Sequence, residues 1–140
     1  MEPIRIILCG ASTRGEYLAQ VFTADNLHTL VAIADPIIER AQYLSDTNGG
    51  TAAVYRTIEE ALAAVPCDAV LVASSDADHA AGVVPALAAG KWVFCEKPIE
   101  TTMAKCQAIL DADRAAGGRT FVGFNLRYAP VYETVRQLIA

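Results

Sequence analysis

No stretch of this chain is basic enough to track a phosphate backbone, no apolar run is long enough to cross a bilayer, and no two cysteines share a CxxC spacing. Each absence removes a class of function. Acids and bases are interspersed and sum to a net charge of −5, so nucleic acid is not an expected partner. The longest uncharged stretch runs only from Ala80 to Gly90 and contains Pro85, which is too short for a membrane span. Glu2 and Arg5 flank the first apolar residues, and no small-residue cleavage site follows a longer run, so no secretory signal is read there. Cys9, Cys67, Cys95 and Cys106 have no histidine near them in sequence, and no metal site is expected. Cys9 and Cys95 end apolar runs, where a thiol behaves as a small hydrophobe. A reduced, cytoplasmic protein is the expectation.

What remains is rich in core-forming residues. Of 140 residues, 54% are hydrophobic and 19% charged, which suits one folded domain and argues against disorder. Short apolar runs alternate with segments of helical period. Strands are read at Ile4–Cys9, Leu30–Ala34, Ala52–Tyr55, Ala69–Ala73, Trp92–Cys95 and Thr120–Phe124. Helices are read from Thr13 to Ala24, from near Pro36 to Asn48, from Thr57, from Ser74-Ser75-Asp76 to Ala89, from Thr102 to Ala116, and from Val131 to Ala140. Thr57 followed by Glu60 has capping-box spacing, and Ser74-Ser75-Asp76 offers a cap for the fourth helix. The fourth strand is wholly apolar, as a strand buried on both faces must be. This alternation predicts an α/β fold: a Rossmann-type, doubly wound, mostly parallel six-stranded sheet with helices on both faces, in the order 3-2-1-4-5-6. No internal repeat interrupts it.

Gly10-Ala11-Ser12-Thr13-Arg14-Gly15 follows the first strand and opens the first helix, the context of a dinucleotide-binding G-x-G-x-x-G turn. Gly10 permits the tight turn, and Gly15 permits close helix–strand packing. The helix N-terminus between them favours an anion. The middle glycine is replaced by Ser12, whose Cβ must be accommodated and whose hydroxyl is a possible donor to a phosphate oxygen. Asp35 ends the second strand at the distance expected of the acid that accepts from the adenosine ribose hydroxyls. It reads also as a helix cap beside Pro36, and one residue can serve both purposes. An acid there repels a 2′-phosphate, so NAD is the expected cofactor and NADP the less favoured one, with Arg14 and Arg40 as cations that soften the preference.

Glu96-Lys97-Pro98 follows the fifth strand, on the edge where open parallel sheets bind ligands. A lysine there suits a group that holds a substrate hydroxyl or a developing alkoxide. A solvated Glu–Lys turn is the plainer alternative, and the bond before Pro98 suits a cis turn.

The run Ala88-Ala89-Gly90-Lys91-Trp92-Val93-Phe94-Cys95-Glu96-Lys97-Pro98-Ile99 resembles the A-G-K-x-V-x-x-E-K-P signature of the Gfo/Idh/MocA oxidoreductases, the family of glucose–fructose oxidoreductase and inositol dehydrogenase. Val122-Gly123-Phe124-Asn125-Leu126-Arg127-Tyr128-Ala129-Pro130 is similar to that family's exit from the sixth strand, G-F-x-x-R-[FY]-x-P. The resemblance implies that Lys97 contacts the reacting hydroxyl and the nicotinamide region, that Glu96 lies near the cofactor, and that Arg127 lies near the nicotinamide and substrate end. The family's T-P-N-x-x-H stretch corresponds to Ser74-Ser75-Asp76-Ala77-Asp78-His79, so Ser74, Ser75 and His79 are implied to line the cofactor cleft. His79 also reads as a locally bonded histidine in a first helical turn. The candidate cofactor-binding set is therefore Gly10, Ala11, Ser12, Thr13, Arg14, Gly15, Asp35, Ser74, Ser75, His79, Glu96, Lys97 and Arg127, with Lys97 as catalytic candidate.

The resemblance further implies a dinucleotide-binding domain over residues 1–128 and a helix, 129–140, leading toward a C-terminal domain that binds substrate and builds oligomers. Its absence is expected to expose apolar surface near the sixth strand and last helix, favouring a homo-oligomer of undefined surface. The implied activity is hydride transfer between nicotinamide and a secondary alcohol of a sugar, cyclitol or similar polyol, with the 140 residues binding cofactor but lacking full activity. Two other readings stand beside it: a stand-alone NAD(H)-binding regulatory module without catalysis, and a Rossmann relic whose Ser12 loop no longer binds cofactor.

Overall fold

The computed structural model describes residues 2–24 and 26–139. Six strands, β1 (Ile4–Cys9), β2 (His28–Ala34), β3 (Ala53–Tyr55), β4 (Ala69–Val72), β5 (Trp92–Cys95) and β6 (Thr120–Val122), form one parallel sheet in the order β3-β2-β1-β4-β5-β6. The order reverses between β1 and β4, which opens a crevice at their carboxyl ends. Helices α1 (Thr13–Thr23), α2 (Ile38–Thr47), α3 (Ile58–Ala64), α4 (His79–Ala88), α5 (Met103–Ala115) and α6 (Pro130–Ile139) alternate with the strands. Ala140, placed in the last helix by the sequence pattern, lies outside the described residues.

Strand periodicity divides the core. Ile6, Leu8, Ile33 and Leu71 point to the side covered by α1 and α2, through Leu18, Ala19, Ala41 and Leu44. Ile7, Val70, Val72, Val93 and Cys95 point to the other side, where Ile58, Ala61, Val83, Ala86, Leu87 and Ile109 of α3, α4 and α5 cover them. Alternate residues thus belong to different layers, so a one-residue slip in register would exchange the two cores.

Most helix starts follow the local signals. Ser12 caps α1, Thr102 caps α5, and Thr57 with Glu60 forms the full reciprocal capping box of α3. The fourth helix departs from expectation. Ser74-Ser75-Asp76 does not cap it; α4 begins later, after Asp78, whose side chain makes no cap bond. The amide of Asp78 instead donates to Ser75 O, so this stretch is a turn that extends the crevice wall before the helix starts. The sixth strand stops at Val122, and a 3₁₀ turn, Asn125–Tyr128, follows because the amides of Phe124 and Asn125 turn back to Val122 O and Gly123 O.

On the α1/α2 side, α1 reaches β4 through Leu18 and Leu71, and an apolar face continues beyond it over β5 and β6. An apolar groove of about 730 Å³ lies there, lined by Phe22, Leu71, Trp92, Phe94 and Phe121. Phe94, Phe121 and Tyr128 stack in a row above it, at centroid spacings of 5.7 and 6.0 Å. Val131, Val135 and Leu138 of α6 are exposed as well. The apolar surface expected near the sixth strand and last helix is present.

The capping box supplies a direct stability test. Thr57→Ala removes the acceptor of the Glu60 amide and is expected to lower stability by about 1 kcal/mol, read as a shift in the urea midpoint at unchanged slope.

Candidate functional site

The site starts from a turn that only glycine permits. Gly10 leaves β1 with φ of +100°, and a Cβ there would lie 2.5 Å from the amide nitrogen of Ser74 at the end of β4. A Cβ on Gly15 would lie 2.1 Å from Gly10 O. Both glycines are therefore demanded by packing of the loop on itself and on β4. Ser12 sits between them as the helix cap: its Oγ accepts from the Gly15 amide at 3.1 Å and donates to Ala73 O at 2.9 Å. A hydroxyl has one proton, and this one is used on a carbonyl. In this structure Ser12 therefore ties the loop to the end of β4. The amides of Thr13 and Arg14, first in α1, have no intrahelical acceptor and remain as donors at the positive end of the helix.

Asp35 holds the same loop from the other side. Its carboxylate, 7% exposed, accepts from the Ala11 amide at 2.8 Å and from the Ile37 amide at 2.8 Å. Asp35 is not the helix cap read beside Pro36: the N-cap position of α2 is Ile37, and the bond from the Ile37 amide to Asp35 closes the turn before the helix. Each oxygen retains a second acceptor position, and Asp35 lines a cleft of about 560 Å³ with Gly10, Ser12, Arg40, Ser74 and Ser75. Cys9 lies on the floor of this cleft. Burial, reinforced by the charge of Asp35, pushes its thiol up to about 12, which makes it an inert hydrophobe.

A second cavity, about 380 Å³, adjoins the first through Ser12 and Ser74 and is lined also by Arg14, Asp76, His79, Glu96, Lys97 and Asn125. Glu96, 5% exposed, accepts from Arg14 Nε at 2.7 Å and Nη2 at 2.6 Å on the same oxygen, Oε1. Its Oε2 accepts from the Lys97 amide at 3.2 Å. Lys97 is exposed, and the peptide bond that follows it, to Pro98, is cis. The carbonyl of Pro98 lies 2.7 Å from Nδ1 of His79, which is buried in the first turn of α4. A carbonyl only accepts, so Nδ1 is the protonated nitrogen. Nε2 is buried with no hydrogen-bond partner among the described residues, as is Ser74 Oγ.

Sequence reasoning missed one residue here. Glu100 accepts from the Ala80 amide at 3.1 Å and the Thr101 amide at 2.7 Å, and so supplies from another segment the cap that Asp78 does not give α4. Burial opposes its ionisation, but the bonds from Thr101 and Ala80 outweigh it and hold the carboxyl below the ordinary carboxylate range. Lys105 bonds Ala77 O and stands 4.0 Å from Glu100. The only sequence signal was an acid between Pro98 and the next helix cap, and its partner lies 20 residues away.

Of the candidates, Gly10, Ser12, Asp35, Ser74 and Ser75 meet in the first cleft, and Ser12, Arg14, Ser74, His79, Glu96 and Lys97 in the second. Ala11 and Thr13 face the groove between α1 and α2, and Gly15 is buried beneath the loop. Arg127 lies exposed in the 3₁₀ turn and lines neither cavity; its neighbour Asn125 lines the second. Open first-turn amides, two adjoining clefts and buried polar atoms awaiting partners fit an extended dinucleotide.

Residues 4–124 match the Gfo/Idh/MocA family, described as "Oxidoreductase family, NAD-binding Rossmann fold". The inositol 2-dehydrogenase/D-chiro-inositol 3-dehydrogenase of Shouchella clausii is 40% identical over 111 residues, 79% of this chain and 32% of that protein. The inositol 2-dehydrogenase of Acidothermus cellulolyticus is 38% identical over 131 residues, 92% of this chain and 38% of that protein. A crystal structure of myo-inositol dehydrogenase from Lactobacillus casei, in complex with NAD(H) and myo-inositol, superposes with a TM-score of 0.89 at 26% identity, covering 98% of this chain and 41% of that one. The chain thus spans 32 to 38% of the length of these two curated relatives.

Gly15→Ala places a methyl against backbone that cannot yield. It is expected to cost at least about 2 kcal/mol and to lower the urea midpoint even without ligand. An unchanged midpoint would show that the loop relaxes freely.

Proposed function

Because the chain belongs to the Gfo/Idh/MocA oxidoreductase family through an NAD-binding Rossmann domain, we propose that it forms the cofactor-binding part of a dehydrogenase acting on a secondary alcohol of a cyclitol, sugar or similar polyol. The observation that carries this reading is the exposed ammonium-bearing Lys97 in a cavity that adjoins the dinucleotide-sized cleft. When bound, the nicotinamide supplies the hydride acceptor. The protein's part is to hold and to polarise. The open amides of Thr13 and Arg14 face the anionic pyrophosphate, and Asp35 offers its remaining acceptor positions to ribose hydroxyls. Lys97 donates to the substrate oxygen and stabilises negative charge as the alcohol loses its proton.

Asp35 also supports NAD as the preferred cofactor, since its carboxylate would meet a 2′-phosphate with like charge. Arg40 and Arg56 line the same cleft and temper that repulsion. Residues 1–128 serve as the cofactor domain, and α6 leads toward the substrate domain, which provides the groups this chain does not carry. The exposed apolar groove beside β5 and β6 supports a homo-oligomer as the assembly of the 140 residues. All four cysteines are free thiols, which agrees with a reducing, cytoplasmic setting.

Millimolar NADH is expected to raise the Tm of the chain by mass action on the folded state. Absence of a shift with NADH and NADPH alike would reject cofactor binding. Asp35→Asn removes the charge and keeps one of the two acceptors used by the Ala11 and Ile37 amides, so it is expected to weaken NADH and narrow its advantage over NADPH in calorimetric titration. Lys97→Ala is expected to leave the NADH-induced Tm shift intact while turnover, measured with the substrate domain present, falls by about 10² or more.

A further inference from the structure

Arg14 is placed where its charge is unhelpful to its own helix. It occupies the second position of α1, and a cation in the first turn is disfavoured by the helix dipole. Three contacts fix it there. Nε and Nη2 both converge on Oε1 of Glu96, at 2.7 and 2.6 Å, and the guanidinium lies over the ring of Tyr17, 5.0 Å from its centroid. The partners differ in exposure: the Arg14 side chain is 41% exposed, the Glu96 side chain 6%. The carboxylate is the buried member, and a buried carboxylate needs a counter-charge.

Lys97 is the adjacent cation and lines the same cavity as Glu96. Yet its ammonium makes no ion pair among the described residues. Glu96 accepts from Arg14 on Oε1 and from the backbone amide of Lys97 on Oε2, and the guanidinium already balances its charge. Asp76, the other acid lining the cavity, is exposed to solvent. We propose that Arg14 is a positioning residue for Lys97: by supplying the counter-charge of Glu96, it keeps the neighbouring ammonium out of an ion pair and available to the cavity. The inference deepens the catalytic reading of Lys97 but concerns only this chain's own side chains.

The test is competitive lysine labelling of the 140-residue chain with limiting acetylating reagent at fixed pH, read by mass spectrometry. In the parent chain Lys97 is expected to react as readily as an exposed lysine. In Arg14→Met, Glu96 loses its partner and recruits Lys97, so labelling of Lys97 is expected to fall several-fold relative to Lys105. In the double variant Arg14→Met/Glu96→Gln no charge remains to recruit it, and labelling is expected to return to within twofold of the parent. A purely structural role for Arg14 predicts the opposite, a general rise in lysine reactivity as the fold loosens. Unchanged or increased labelling of Lys97 in Arg14→Met, or no recovery in the double variant, would overturn the proposal. Should Arg14→Met fail to fold, Arg14→Gln keeps a hydrogen-bond donor without the charge, and the same fall is required of it. Failure of the cofactor reading shows separately, as a missing Tm shift with NADH.

Discussion

The whole site depends on the approach of the first turn to the end of β4. Gly10 lies so close to Ser74 that no side chain fits between them, and bonds from both sides hold the approach in place. The Gly10 amide donates to Ala34 O, the Ala11 amide to Asp35, Ser12 Oγ to Ala73 O, and the Ala73 amide to Cys9 O. The ends of β2, β1 and β4 are thereby joined at the point where the strand order reverses. Buried backbone groups have to be paired, and pairing them this way consumes the donors of Gly10 and Ala11 while leaving those of Thr13 and Arg14 pointing outward. A helix end with open donors results from where the other hydrogen bonds go.

A second set of bonds does the same for Lys97. Upstream, Glu96 is fixed by Arg14; downstream, Pro98 is held by His79, and Glu100 caps α4 through Ala80. The residues flanking Lys97 are thus anchored to α1 and to α4, two helices on opposite faces of the sheet. An exposed lysine stem is floppy, with considerable rotamer entropy, and a rigid point of attachment limits where its ammonium can reach. The carboxylates here serve as structural counter-charges and caps, which is why three acids, Asp35, Glu96 and Glu100, are buried close to the cavities.

Much of this architecture was legible beforehand. Alternation of apolar runs with helical segments gave the parallel sheet and its order, because a strand buried on both faces has few polar residues to disguise it. The capping box at Thr57 and the glycine turn were legible because their partners lie within three to five residues. The fourth helix start was misplaced for the converse reason: its cap, Glu100, comes from a different connection, and three serine and aspartate candidates stood nearer in sequence. The tie that Ser12 makes to β4 was hidden for a related reason, since its hydroxyl proton goes to Ala73, 61 positions away.

The sequence by itself determined which residues form strands and helices, the order in which the strands assemble, and the family to which the chain belongs, because those follow from local periodicity and short motifs. Only the tertiary structure decided what each polar side chain does. Asp35 became a loop brace as well as a cleft acceptor, Arg14 became the partner of Glu96, and Lys97 has no ion-pair partner among the described residues. Hydrogen bonds and ion pairs are short-ranged and limited in number by lone pairs and protons, so a side chain's role depends on which distant groups reach it first, and chain order does not record that.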